Sequence, residues 1–171
     1  MTVLLGMDQQ IIDDTVMSGL EAQQALFASN GDPIVLGRIG SLEVRLANSR
    51  EAVEAAQELR FRVFFDEMGA RRESIEAVEL RDADRFDAIC DHLLVYDTAL
   101  PVPEHQQIVG TYRLMRSDQA EQALGFYSAD EYDVQRLALS RPNLRLLELG
   151  RSCVQAEYRS KRTVELLWQG A

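Results

Sequence analysis

The sequence predicts an α/β (α+β) fold, because segments of strand and helix character alternate in the order strand, helix, strand, strand, helix, strand, helix. Two more observations set its scale and its pairing. A Pro101-Val102-Pro103 turn separates two apolar runs, which pair antiparallel if the connection is a hairpin. The 171 residues, 46% hydrophobic and 27% charged, are the balance of one globular domain that can bury a core.

Each element has its own signal. Residues 1–36 read as a leader: apolar and polar residues mix without period until Asn30-Gly31-Asp32-Pro33 breaks the chain. Leu42, Val44 and Leu46 alternate with Glu43 and Arg45, the pattern of a half-exposed strand. Ser49 caps a helix in which Ala52, Val53, Ala56, Leu59, Val63 and Phe64 recur at helical spacing, and Gly69 ends it. The charged stretch from Ala70 to Arg85 reads as a loop or short helix. His92 to Tyr96 and Ile108 to Met115 are the hairpin strands. Ser128 and Glu131 have capping-box spacing ahead of another helix. Leu146 to Val154 is a further strand, and a last helix starts near Arg162 and carries Val164, Leu166, Leu167 and Trp168. Trp168 and Tyr158 read as packing residues.

Composition excludes several function classes. The net charge of −10 argues against nucleic acid, whose phosphates need a basic face. The imbalance is uneven: residues 136 to 162 hold seven basic side chains against Glu148 and Glu157, a local +5 suited to an anionic partner. No basic residue precedes Arg38 and no apolar run is long enough to span a bilayer, so a cytoplasmic protein is expected. Cys90 and Cys153 stand far apart in apolar runs and read as reduced core thiols. Asp82, Asp84 and Asp87 lack the glycine and the final glutamate of a calcium loop, so no metal is expected. His92 reads as a strand-edge or core histidine and His105 as solvated.

The charged residues set into the apolar segments form an ordered series: Arg60 with Phe64, Asp84 with Asp87, Arg113 followed by Leu114, then Glu148 with Arg151. In order and spacing this series resembles the acyl-homoserine-lactone synthases, a branch of the GNAT acyltransferase superfamily; the tryptophan of that branch after its first helix is Ala70 here. A closer resemblance is to the hemolysin-like ornithine N-acyltransferases that make lyso-ornithine lipid. It is carried by Leu59-Arg60-Phe61-Arg62-Val63-Phe64, Cys90-Asp91-His92-Leu93-Leu94-Val95, Gly110-Thr111-Tyr112-Arg113-Leu114 and Glu148-Leu149-Gly150-Arg151-Ser152-Cys153-Val154, with Tyr158-Arg159 and the terminal Leu166-Leu167-Trp168-Gln169-Gly170.

The resemblance implies a mixed, mostly antiparallel central sheet flanked by helices, with residues 37–171 as the N-terminal portion of a GNAT-type acyltransferase domain that continues beyond the fourth strand and its helix. It implies transfer of a 3-hydroxyacyl group from acyl carrier protein to the α-amine of ornithine, the first step of ornithine lipid synthesis. The donor would be an acyl-phosphopantetheine or acyl-CoA, with no tightly bound cofactor, and the amphiphilic product suggests peripheral contact with the inner membrane. Glu148 with Arg151 would do the chemistry. Arg60, Phe64, Asp84, Asp87 and Arg113 would hold the substrate, the acids receiving its cationic side chain and Arg113 or Arg60 its carboxylate. Val154 and the turn Arg159, Ser160, Lys161, Arg162 and Thr163 would hold the donor. In that turn Arg162 and Val164 stand where the superfamily has small residues, which weakens an amide cradle for pyrophosphate and shifts the load to basic side chains. Two other functional readings stay open: an acyl-homoserine-lactone synthase or other amine acyltransferase of the same superfamily, and a noncatalytic module that binds an acyl carrier; the charged series also reads as a buried structural network, with Arg60 paired to Asp87 or Glu148 and Glu148 to Arg151 or Arg113.

Overall fold

The computed structural model describes residues 33–70, 80–122, 125–141 and 143–171. Its frame is one antiparallel sheet in the order β1-β2-β3-β4-β5, formed by Val35–Ile39, Leu42–Leu46, Asp91–Asp97, Ile108–Arg116 and Leu147–Val154. The leader expected over residues 1–36 lies outside the described residues as far as residue 32. Its last two positions, Val35 and Leu36, belong to β1, a strand the sequence reading missed because Gly37 and Arg38 interrupt its apolar alternation.

Helix α1, Arg50–Phe61, crosses one face of the sheet. Ser49 caps it by accepting the Ala52 amide, as its position before the periodic residues predicts. Ala52, Ala56, Leu59 and the following Val63 pack on Leu94, Tyr96, Ile108 and Cys153, with Phe64 partly buried at the margin. Beyond Phe61 the chain widens into a π-helical turn, Arg62–Glu67, and Gly69 ends it at φ 67, a conformation open to glycine. Short helix α2, Ser117–Gln122, follows β4. Helix α3, Val134–Ser140, is capped by Asp133, which accepts the Arg136 amide, and not by the Ser128/Glu131 pair. Ser128 instead sits inside a 3-10 turn, Tyr127–Asp130.

Helix α4, Lys161–Gly170, covers the opposite face, where Leu166 and Leu167 meet Val44, Leu93, Val95, Val109 and Leu114. It ends tightly against the sheet: a Cβ on Gly170 would lie 2.9 Å from Leu93 Cδ1 and 3.0 Å from Val44 Cγ2, so only glycine fits there without displacement. Tyr158 is half-buried and donates to Asp97 at 2.8 Å, whereas Trp168, expected to pack, is 63% exposed. Both cysteines are buried free thiols, pushed up to about 12 by burial and so chemically quiet.

Candidate active site

Three arginines and three aspartates meet where α1, the loop before β3, and strands β4 and β5 converge. Arg60 occupies the inner face of α1 and is fully buried. Its guanidinium bonds Asp87 at 2.7 and 2.9 Å and the Asp82 carbonyl, and its Nε lies 3.1 Å from the Asp82 carboxylate. Arg113, on β4, reaches Asp84 at 2.6 Å and Asp87 at 3.0 Å. Arg151, on β5, pairs with Asp82 at 3.1 Å and Asp84 at 3.2 Å. The charges balance, three against three, which is what lets so many survive out of water.

The loop is shaped for this meeting. Asp82 donates its amide to the Gln57 carbonyl on α1 at 3.1 Å, Asp84 Oδ1 accepts the Phe86 amide at 2.9 Å, and Asp87 Oδ2 accepts the Asp84 amide and the Gln57 side chain, both at 3.1 Å. Each aspartate thus fixes backbone as well as charge. Burial works to raise the Asp87 carboxyl, but the Arg60 charge and hydrogen bond, with Arg113, overcome it and hold Asp87 at about 2. Burial holds His92, whose Nε2 lies 3.0 Å from the Asp87 carbonyl oxygen, below its ordinary range, so it is neutral.

A pH dependence follows. Asp87 starts from 3.8 and is depressed in the fold, so its contribution is complete above pH 4 and is lost as the pH falls toward 2. The shift corresponds to about 2 kcal/mol. His92 works in the same direction from its unfolded value downward. Urea unfolding at several pH values is expected to show stability declining steeply below pH 4, and Asp87→Asn should flatten that decline; an unchanged slope in the variant would assign it to other carboxylates.

Next to the network, β5 carries a bulge. Thr111 pairs with Cys153 but Arg113 pairs with Gly150, two residues on β4 against three on β5, and Arg151 within the bulge has φ 50. The extra residue matters for sidedness. Glu148, opposite Met115, and Cys153, opposite Thr111, stand at an odd spacing that a regular strand would send to opposite faces, and the bulge brings both to the α1 side. There the Glu148 carboxylate accepts the backbone amides of Tyr127 at 2.8 Å and Ser128 at 2.9 Å. It makes no ion pair with any described residue. The 3-10 turn held this way lays the Tyr127 ring 5.5 Å from the Arg113 guanidinium and 5.1 Å from that of Arg151, which also donates to the Tyr127 hydroxyl at 3.4 Å. Together Cys90, Arg113, Tyr127, Glu148 and Arg151 line a cavity of about 190 Å³.

The expected donor turn lies at the other end of β5. Arg159 donates to the Val154 carbonyl at 3.0 Å and pairs with Glu67 at the end of the π-helical turn. Ser160 caps α4, and the fully buried Thr163 donates to the Tyr158 carbonyl at 2.6 Å, so both are occupied in holding the turn. Lys161 lies 3.4 Å from Glu165, while Arg162 projects exposed beside it. Val154 packs against Gly110 and the α4-side core.

Residues 59–169 match the acetyltransferase (GNAT) domain. The chain belongs to this family. The chain is 90% identical over 155 residues, 91% of its length, to a protein of Brucella abortus (strain 2308) named L-ornithine N(alpha)-acyltransferase. It is 51% identical over 170 residues, 99% of this chain, to a protein of the same name from Rhizobium meliloti (strain 1021). The chain spans about half the length of these curated relatives, 55% and 56%. Among solved structures, the AHL synthase LasI is similar at a TM-score of 0.43 and 15% identity, over 77% of this chain and 69% of that one.

Within the GNAT domain, the structure joins Arg60, Asp84, Asp87, Arg113 and Arg151 in one network and sets Glu148 beside it. Phe64 stays apart, in the α1 packing layer. The expected division of labour, acids for an amine and Arg60 or Arg113 for a carboxylate, meets groups already paired with one another. Arg60 and Asp87 are buried, and only Asp84 and Arg151, with side chains 25% and 26% exposed, stand at the rim. Two members were missed as site residues. Asp82 had a signal, its position two residues before Asp84, but it was weighed only as a calcium ligand. Tyr127 had none, because what makes it matter is the bulge and the Glu148 contact.

Proposed function

We propose that this GNAT domain serves an enzyme that moves a 3-hydroxyacyl group from acyl carrier protein to the α-amine of ornithine. The observation that carries the reading is the 90% identity over 91% of this chain to a relative named for ornithine Nα-acylation. The geometry supports it. A thioester is already activated, so the work is to align the amine, accept its proton and steady the oxyanion. The amine nitrogen attacks the thioester carbonyl, a C–N bond forms, the C–S bond breaks, and the amine proton passes through Glu148 to the departing thiolate. Glu148 is suited to this because its carboxylate borders the cavity with two oxygens that still have acceptor capacity beyond the Tyr127 and Ser128 amides. Arg151 meets the substrate carboxylate at the rim, and Asp84 its distal ammonium. On the donor side, Arg162 projects toward solvent where it can meet a phosphate, and Lys161 and Arg159 join it by leaving Glu165 and Glu67.

The test is mass-spectrometric detection of product from the full-length protein given 3-hydroxyacyl carrier protein and ornithine, lysine, glycine or S-adenosylmethionine. Acyl-ornithine is the expected product. A lactone from S-adenosylmethionine would move the protein to the signalling branch, and no product with any amine would favour a carrier-binding module.

Tyr127 supplies a second prediction. Tyr127→Ala removes the ring that covers both guanidiniums and should raise the ornithine KM about tenfold with the carrier KM unchanged, whereas Tyr127→Phe keeps the ring and should stay within about threefold. Equal kinetics for the alanine variant and the wild type would remove Tyr127 from the site.

A further inference from the structure

The cavity beside Glu148 has a larger and more apolar neighbour. It is a cleft of about 520 Å³ between α2, the 3-10 turn Tyr127–Asp130 and α3, walled by Ala120, Phe126, Ala129, Ala138, Leu139 and Leu146. Its charged members, Glu121 and Arg141, are both exposed and so stand at its mouth. The two spaces share a partition: Tyr127 and Ser128 line the cavity, while Phe126 and Ala129 on either side of them line the cleft. They also share a wall. Cys90 and Met115 of the cavity pack in one apolar cluster with Phe86 and with Ala120 and Phe126 of the cleft.

We infer that this cleft takes the aliphatic tail of the acyl group being transferred. The placement rests on the acyl transfer proposed above and adds to it where the chain lies. At about 190 Å³ the cavity holds a reacting centre and falls short of the ~300–1,000 Å³ of sites that enclose a whole small molecule, whereas the cleft lies within that range. Of the two substrates, only the acyl chain suits apolar walls; ornithine carries charge at both ends, and burying it against alanine, leucine and phenylalanine would be costly. The direction of the donor agrees. Its expected phosphate site follows the end of β5, and Glu148 lies six residues before Val154, about 20 Å back along the strand. A linear donor held by the turn from Arg159 to Thr163, with its carbonyl beside Glu148, is thus already heading for the start of β5, and Leu146 of the cleft comes next in that direction. The tail then crosses the Tyr127–Asp130 turn. Because Glu148 holds that turn by two amides, the group that accepts the proton also fixes the threshold of the tail site.

The experiment gives the full-length protein ornithine and carrier protein loaded with either a long chain, 3-hydroxypalmitoyl, or a short one, 3-hydroxybutyryl. Ala138→Trp puts an indole into the cleft from α3, and the ratio of kcat/KM for the long donor to that for the short one should fall about tenfold or more. Leu139→Ser, at a side chain 73% exposed and so tolerated by the fold, should move the ratio about threefold in the same direction. A merely structural loss would lower both donors alike, and ratios equal to the wild type in both variants would overturn the inference. A photoreactive diazirine at the end of the carrier-bound chain reads position without turnover. Label is expected on α2, the 3-10 turn or α3, and label confined to other parts of the protein would overturn the placement. The same probe as a free fatty acid separates the sources of the tail: a cleft labelled by the free acid and not by the carrier-bound chain would be a lipid site and not part of the donor site. Absence of acyl-ornithine with both donors would instead sink the proposed reaction, and the labelling would still decide whether an acyl chain lies in the cleft.

Discussion

Arg60→Ala is expected to destabilise the protein by about 3–5 kcal/mol, a large part of the 5–15 kcal/mol typical of a whole domain. The reason is asymmetry. With Arg60 present, Asp82 and Asp87 are buried but paired; without it, two carboxylates 6% and 5% exposed each lose a cationic partner, Asp82 keeping Arg151 and Asp87 keeping Arg113, and the helix face against them is left with a void. Asp87 should then lose most of what holds it at about 2, since the Arg60 charge leads the lowering contributions. Urea unfolding of the variant, or its soluble yield where it fails to fold, reads the effect. The double variant Arg60→Met with Asp87→Asn should recover part of the loss, because both charges leave together. A single variant within about 1 kcal/mol of the wild type would mean that Arg60 is solvated in the native state and that the network is not what joins α1 to β4 and β5.

This network also shows what could be read from the chain without coordinates. Strands β2 to β5 and helix α1 follow from side-chain period and from Ser49, because burial on one face writes itself into local sequence. Strand β1 escaped because its side chains are half exposed and it is held largely by pairing with β2, an interaction distant from its own pattern. The series Arg60, Asp84, Asp87, Arg113 and Arg151 was legible as a set, and so was a buried pairing of Arg60 with either Asp87 or Glu148; the choice between those two acids, and the partners of Arg113 and Arg151, are decided by three-dimensional closure. Asp87 reads from the sequence both as a substrate contact and as a partner of Arg60, and it is bonded to Arg60, Arg113 and Gln57. The Glu148 position depends on the bulge at Gly150 and Arg151, and one residue more or less in β5 reverses the face it occupies. No spacing rule along the chain reports that.

Glu148→Gln is expected to lower turnover by about 10²–10⁴-fold while leaving carrier binding intact. Two physical losses contribute, and they separate by pH. The amide cannot accept the amine proton, and it also offers an NH₂ toward one of the two backbone donors, Tyr127 and Ser128, that the carboxylate now satisfies. If proton acceptance dominates, the variant's rate should climb tenfold per pH unit as solvent deprotonates the ornithine amine, closing much of the gap to the wild type at high pH. If support of the turn dominates, the loss should be the same at every pH and should be accompanied by a raised ornithine KM like that of Tyr127→Ala, because the ring would no longer lie over Arg113 and Arg151. A variant as active as the wild type across the pH range would remove Glu148 from both roles. The pH-dependent outcome is the one expected, since the turn keeps one amide contact to the Gln oxygen and the Arg151 to Tyr127 hydroxyl bond at 3.4 Å, whereas the proton has no other carboxylate among the residues lining the cavity.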